Sequence, residues 1–187
     1  MTILTHIYEQ DGLPGIGPAT LAVNYTFFIL STIAAPAVRW PLKRQLLLGG
    51  CLYTLNYSSG IVATLTDSST LKYLISCTGS GLAGCSAGFL WVSQGRYIHL
   101  ACEKYGELKK KGEMYGVFSS LYCFSNVSAG LITTFGLGFF DSITYFFIIT
   151  TLGVISAIFC FFFVRDIPQS DIHMPLANQV SLLEDQE

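Results

Sequence analysis

The stretch "TGSGLAGCSAGFLWVSQGRYIHLACE", residues 78–103, holds the most suggestive spacing in the chain. Gly79, Gly81 and Gly84 fit G-x-G-x-x-G, and Glu103 follows 19 residues after the third glycine. In a dinucleotide-binding turn such glycines let the backbone approach a pyrophosphate, and the acid takes a ribose hydroxyl. That chemistry needs a strand before the glycines and, after them, a helix with a solvent face. Here "CSAGFLWVSQG" carries no charge on any face, and no later segment supplies further strand and helix units. The same letters describe a helix inside a membrane. Cys77, Gly81, Gly84 and Gly88 recur at spacings of four, three and four, which places them along one helical stripe. Gly84 and Gly88 form a GxxxG pair, and Ser80 extends the small-residue pattern. Lipid gives helices no hydrophobic reason to associate, so close backbone approach must do it, and small residues permit that approach.

Other catalytic spacings are missing. His6, His99 and His173 fall in three different segments, and no H-E-x-x-H, G-x-S-x-G or P-loop pattern occurs. The six cysteines, Cys51, Cys77, Cys85, Cys102, Cys123 and Cys160, show no C-x-x-C spacing. A disulfide framework or zinc site is therefore not expected. Cys102 falls in a loop beside the membrane, where an inert thiol or a palmitoylated one are both open. The expectation is a non-enzymatic chain with no cofactor and no metal.

The elements that must carry these residues follow from charge. Only 12% of the 187 residues are charged and 51% are hydrophobic, against about 25% charged in a soluble domain. A net charge of −2, with no basic stripe interleaved with aromatics, gives no reason to expect nucleic-acid binding. The charges punctuate five uncharged runs: 12–38, 45–66, 73–95, 114–140 and 142–164. Crossing a hydrocarbon core ~30 Å thick takes about 20 apolar residues at ~1.5 Å each. All five are long enough, so the sequence predicts an all-α integral membrane protein. Its five transmembrane helices fall at about 16–38, 45–66, 73–95, 115–138 and 142–164. A tail over 1–11 precedes them and a polar tail over 166–187 follows.

Nine of the ten basic residues fall on one side of those spans. They are Arg39, Lys43, Arg44, Arg96, Lys104, Lys109, Lys110, Lys111 and Arg165, with Lys72 alone on the other side. Basic loops stay cytosolic, which predicts an N-terminus outside or in the lumen and a C-terminus in the cytosol. The segment "MTILTHIYEQDGLPG" has no basic n-region or long apolar core to deliver it across. The odd helix count then leads to the expectation that a helix precedes this chain and that it is part of a longer protein.

At "GFLWVSQGRYI" the chain resembles the Leu-Trp-x-x-Gln-Gly-x-Tyr signature of the uncoordinated-ninety-three-like proteins, a branch of the major facilitator superfamily. The matching residues are Leu90, Trp91, Gln94, Gly95 and Tyr97. Gly17, Tyr25 and Pro36 resemble that family's second helix, Gly49 and Tyr53 its third, and Gly116 and Phe118 the start of its fifth. The resemblance runs over about 10–165. It implies that the five spans correspond to helices two to six of the superfamily's first six-helix half. It departs at "APAVRWPLKRQ", which lacks the acid of the superfamily's loop between helices two and three, and at Ser119 and Cys123. The function it implies is regulation or trafficking of other membrane proteins such as ion channels and receptors. The alternative is solute or ion transport by alternating access, with this chain as part of the unit and a complementary half as partner.

Asn24, Asn56 and Asn126 head N-x-S/T triplets inside spans, out of reach of glycosylation. Amides in lipid either bond across helices or line a wet cavity, so Asn24, Asn56, Gln94 and Asn126, with Tyr97, are the candidate polar pathway. No acid or base lies mid-span to carry a proton. The run "EKYGELKKKGE" reads as a cytosolic loop drawn to anionic lipid heads, or a docking site for a partner. Leu182 and Leu183 in the tail resemble a sorting dileucine with Asn178 where the acid would stand.

Overall fold

The computed structural model describes residues 15–104 and 108–165. The N-terminal tail with His6, and the C-terminal tail with His173 and Leu182–Leu183, lie outside the described residues. Five helices make up almost all of the rest: α1 (Ile16–Ala34), α2 (Leu42–Thr64), α3 (Ser69–Lys104), α4 (Lys111–Phe139) and α5 (Ser142–Phe163). No strand occurs among the described residues. Gly79, Gly81 and Gly84 therefore sit inside a continuous helix, where no nucleotide-binding turn can form.

Local chemistry sets the helix ends. Gly15 takes a left-handed backbone (φ 83°) just before α1, and a 3₁₀ turn, Ala35–Ala37, closes that helix around Pro36. Pro36 has no N–H to continue the ladder. Pro41 stands immediately before α2, with ψ 138°. Asp141 caps α5: its carboxylate accepts from the Thr144 N–H (3.2 Å) and the Thr144 hydroxyl (2.6 Å).

Four helices are long and apolar enough to cross a membrane among the described residues: α1 with its 3₁₀ turn, α2, α3 and α5. The fourth predicted span does form a helix, α4, and its 29 residues are long enough. Ser119, Ser120, Ser125, Asn126, Ser128, Thr133 and Thr134 dilute its apolar character, so it is not among the four. The third differs in length. Predicted at 73–95, it runs 36 residues to Lys104, about 54 Å at ~1.5 Å per residue. The basic segment expected as loop over 96–104 is helical, and Cys102 is buried in it at 1% exposure, which removes the exposed thiol that acylation needs.

Helix α3 lies between α1 and α2, and α2 packs in turn on α5. The α1 face of α3 is built on absent side chains. A methyl group at Gly84 would collide with the Asn24 carbonyl oxygen, and one at Gly88 with Ser31 Oγ and the Thr32 nitrogen. Gly81 meets the Phe27 ring, and the Ser31 hydroxyl reaches the Gly84 carbonyl at 3.3 Å. Ser80, half-buried, takes part in none of these close approaches. On the opposite face, Gly79, Ser86 and Ser93 recur every seven residues and meet α2. Gly79 lies under Ser59 and Asn56, Ser86 donates to the Gly49 carbonyl (2.5 Å), and Ser93 donates to Gln45 Oε1 (2.9 Å).

The interior is small and polar, while the bulky side chains lie outside. Thr20, Ser31, Gln45, Ser76, Ser86 and Ser93 are buried, whereas Ile33, Leu74, Phe124, Phe147, Phe162 and Phe163 are each over 60% exposed. A soluble monomer does not present apolar surface on that scale. In hydrocarbon it carries no cost, and the arrangement is that of a multi-pass membrane protein.

Three outcomes follow. Gly84→Ala should lower stability in detergent by about 1–3 kcal/mol, because the obstructing atom is backbone. Gly116→Ala, with nothing within 4 Å, should leave the thermal midpoint unchanged or raise it slightly, because alanine is the better helix former. At Asp141 the Thr144 hydroxyl, and then its N–H, hold the carboxyl below its ordinary value of 3.8. Folding lowers that pKa, so the cap acts fully above the ordinary value and is lost as pH falls through the folded one. Amide protection at 142–145, corrected for intrinsic exchange, should fall over that acid range, and Asp141→Ala should abolish the dependence.

Candidate functional site

The segment at 90–97 is where α3 meets α2, α4 and a cleft. The Leu90 side chain packs over Gly49 of α2, so close that a methyl there would lie 2.8 Å from Leu90 Cδ2. Trp91 turns toward α4, edge-on to Phe118 (centroids 6.1 Å apart, 86°) and to Tyr122 (4.6 Å, 77°). The Gly95 carbonyl accepts from the Tyr115 hydroxyl of α4 at 2.7 Å. Gln94 and Tyr97 face a cleft.

That cleft, about 670 Å³, lies between α2, α3 and α5 with Phe118 of α4 among its walls. Its volume falls within the range of small-molecule sites. Most of the wall is aliphatic, from residues such as Leu46, Ile98 and Leu152. Gln94 and Tyr97 on one side, Tyr53, Thr54 and Tyr57 on another and Ser156 on a third supply the polar groups. Among the described residues no Asp, Glu, Lys, Arg or His lines it. Tyr53 and Tyr57, one helical turn apart, stack with ring centroids 6.3 Å apart. Among the described residues no three His, Cys, Asp or Glu side chains group as a metal site. The arrangement can hold a neutral, largely apolar molecule by shape and hydrogen bonds.

Of the four amides in the candidate pathway, only Gln94 reaches the cleft. Asn56 turns its Oδ1 toward Gly79 on the α2–α3 seam, Asn24 is half-buried with its carbonyl against Gly84, and Asn126 is exposed on α4. Helical rotation separates them, so they do not form one polar pathway. The sequence also misses Gln45. It is fully buried and satisfied on every side: Nε2 donates to the Val38 (3.0 Å) and Trp40 (2.9 Å) carbonyls, and Oε1 accepts from Ser93. It ties the α1–α2 connection to α3. Its one sequence signal was an amide seven residues after the run-ending Val38.

Most of the basic residues lie at one end of the molecule. α1 and α3 run parallel, Phe27 facing Gly81 and Ser31 facing Gly88, while α2 opposes both and α5 opposes α2. Arg39, Arg44, Lys104, Lys109 and Lys110 are exposed there, and Lys43 and Lys111 are half-buried. Lys72 lies near the start of α3, at the other end.

Comparison with known protein families, curated proteins and solved structures finds no match for the chain.

Helix α4 is held lightly, by Trp91 and Gly95 at one end and by a Thr133–Tyr145 hydroxyl contact (2.8 Å) at the other. Trp91→Ala removes two edge contacts worth about 0.5–1.5 kcal/mol each. Amide exchange over 112–124 should rise by roughly one to two orders of magnitude, with α1 and α2 unaffected. Gln45→Leu removes the amide that donates to the Val38 and Trp40 carbonyls, at a cost of roughly 1–3 kcal/mol, and should lower the thermal midpoint more than Ser93→Ala does.

Proposed function

We propose that this chain is a multi-pass membrane protein of the facilitator type that regulates or escorts other membrane proteins, such as ion channels or receptors, without catalysing a reaction. The observation that carries the reading is α4. None of its described side chains is buried, it touches the bundle at two small patches, and it leaves Ser120, Ser125, Asn126 and Thr134 uncovered. Hydroxyl and amide groups in hydrocarbon bond to whatever helix presents a partner. Ser125 and Thr134 donate to the Tyr122 (2.8 Å) and Gly130 (2.9 Å) carbonyls of their own helix, while Asn126 stays exposed. A helix from another chain supplies a partner for that amide and the close packing that α4 lacks here. In this reading α4 is a fifth span, the Lys-rich end faces the cytosol, and the N-terminus lies outside or in the lumen. The resemblance at Leu90, Trp91, Gln94, Gly95 and Tyr97 supports the family of the reading.

The cleft supports a second reading. A neutral site among α2, α3 and α5 suits a solute carrier whose remaining wall comes from a complementary half. Purification in gentle detergent, set against solute flux in vesicles, separates the two. Regulation requires a membrane protein that copurifies and is lost on Asn126→Leu together with Ser125→Ala. Flux without any copurifying partner makes the chain a transporter. Both readings require the chain to stay in the membrane pellet after alkaline carbonate. Protease added to sealed vesicles of cytosol-out orientation should cut at 104–111 and spare Lys72.

A further inference from the structure

A second groove runs along the outer side of the α2–α5 seam. It encloses about 460 Å³ between residues such as Leu47, Cys51, Leu55, Val154, Ile158 and Phe162, and its wall is almost wholly apolar. Most grooves on a membrane helix pair admit any acyl chain. This one ends at a cation. Lys43, the second residue of α2, lays its ammonium over the ring of Phe161, 5.2 Å from the centroid. Phe161 also lines the groove, so the charge stands at its mouth.

The contact has a physical consequence. A free lysine ammonium sweeps a wide volume on a four-carbon stem, whereas this one is held at a fixed place by the aromatic face. Holding it there removes part of the ordering cost that an anionic partner would otherwise meet. No acid lies in the first turn of α2 to neutralise it, and the helix dipole adds positive potential at that N-terminal end. A fixed positive charge at the end of a 460 Å³ apolar slot matches a molecule with an anion at one end and hydrocarbon at the other.

We propose that the α2–α5 groove is a binding site for one anionic phospholipid of the leaflet on the Lys-rich side, with an acyl chain between Leu47 and Ile158 and the headgroup phosphate on Lys43. This holds whether the chain is a regulator or a carrier. The phosphate faces Lys43, and the chain runs toward the bilayer midplane beside Val154 and Leu55. Zwitterionic lipids fit the slot but carry a cation beside the phosphate, so they gain less from the lysine. The cytosolic leaflet is the one rich in anionic lipid, which agrees with the orientation derived from the basic residues.

Native mass spectrometry of the full chain in detergent, titrated with phosphatidylglycerol or phosphatidylcholine of equal chain length, tests the site. One phosphatidylglycerol should be retained at least about fivefold better than phosphatidylcholine. Lys43→Gln should abolish that preference. Arg44→Gln, which removes an exposed neighbouring charge, should change it less than about twofold. Val154→Trp, on the exposed wall of the groove, should weaken retention of both lipids while circular dichroism shows the helices intact. Equal retention of the two lipids by the unaltered chain would overturn the proposal. So would equal losses from Lys43→Gln and Arg44→Gln, which would mark a diffuse basic surface in place of a site.

Discussion

The architecture depends on how near the α3 backbone comes to its neighbours on two opposite faces. Where water drives folding, large side chains move inward and their burial holds the elements together. Hydrocarbon offers no such drive between helices, so contact distance itself becomes the source of attraction. Gly84 and Gly88 bring α3 against the main chain of α1, Gly81 seats the Phe27 ring, and Gly79, Ser86 and Ser93 bring α3 against α2. Each approach places many atom pairs at van der Waals separation, and weak dispersion sums over them. The serines bridge to main-chain carbonyls or to Gln45, so the polar atoms inside are mostly satisfied as well. Bulky residues have no place in such an interior and are found on the outside.

This central position of α3 explains why the 90–97 segment is dense in contacts. Each turn of that stretch serves a different neighbour: Leu90 serves α2, Trp91 and Gly95 serve α4, and Gln94 and Tyr97 serve the cleft. A substitution there acts on several seams at once. Helix α4, by contrast, rests on a few aromatic and hydroxyl contacts, and its hold on the bundle is small beside that of α1 or α2. The molecule thus has a firm group of α1, α2, α3 and α5 and a lightly attached fifth helix.

Charge-free runs made the helices readable because a lysine in hydrocarbon is expensive, and the glycines at 81, 84 and 88 made one packing face readable. Other features were not so exposed to reading. A run without charges reports where lipid is, not where a helix stops, so α3 continues nine residues past Gly95 on hydrogen bonds that water tolerates equally well. The opposing stripe at 79, 86 and 93 is hidden because a helix with two small faces has little periodic contrast. The amides failed as a group for a related reason. Composition sets that they lie in spans, but helix rotation, fixed by the glycine seams, decides which of them share a cavity. Gln94 does, and Asn24, Asn56 and Asn126 do not. The cleft's tyrosines resemble ordinary membrane aromatics until α5 is seen beside them.

The partner of α1 is α3, not the helix that follows it in the chain, and this ordering bears on how the protein is made. A ribosome adding about 5–20 residues each second takes on the order of several seconds to reach Lys104 after finishing Ala34. During that interval α1 waits in the bilayer with its Asn24 and Ser31 surface uncovered, next to a helix it will not pair with. Nascent α1 therefore has a period in which a chaperone of the insertion machinery, or the wrong neighbour, can occupy the surface that α3 later claims.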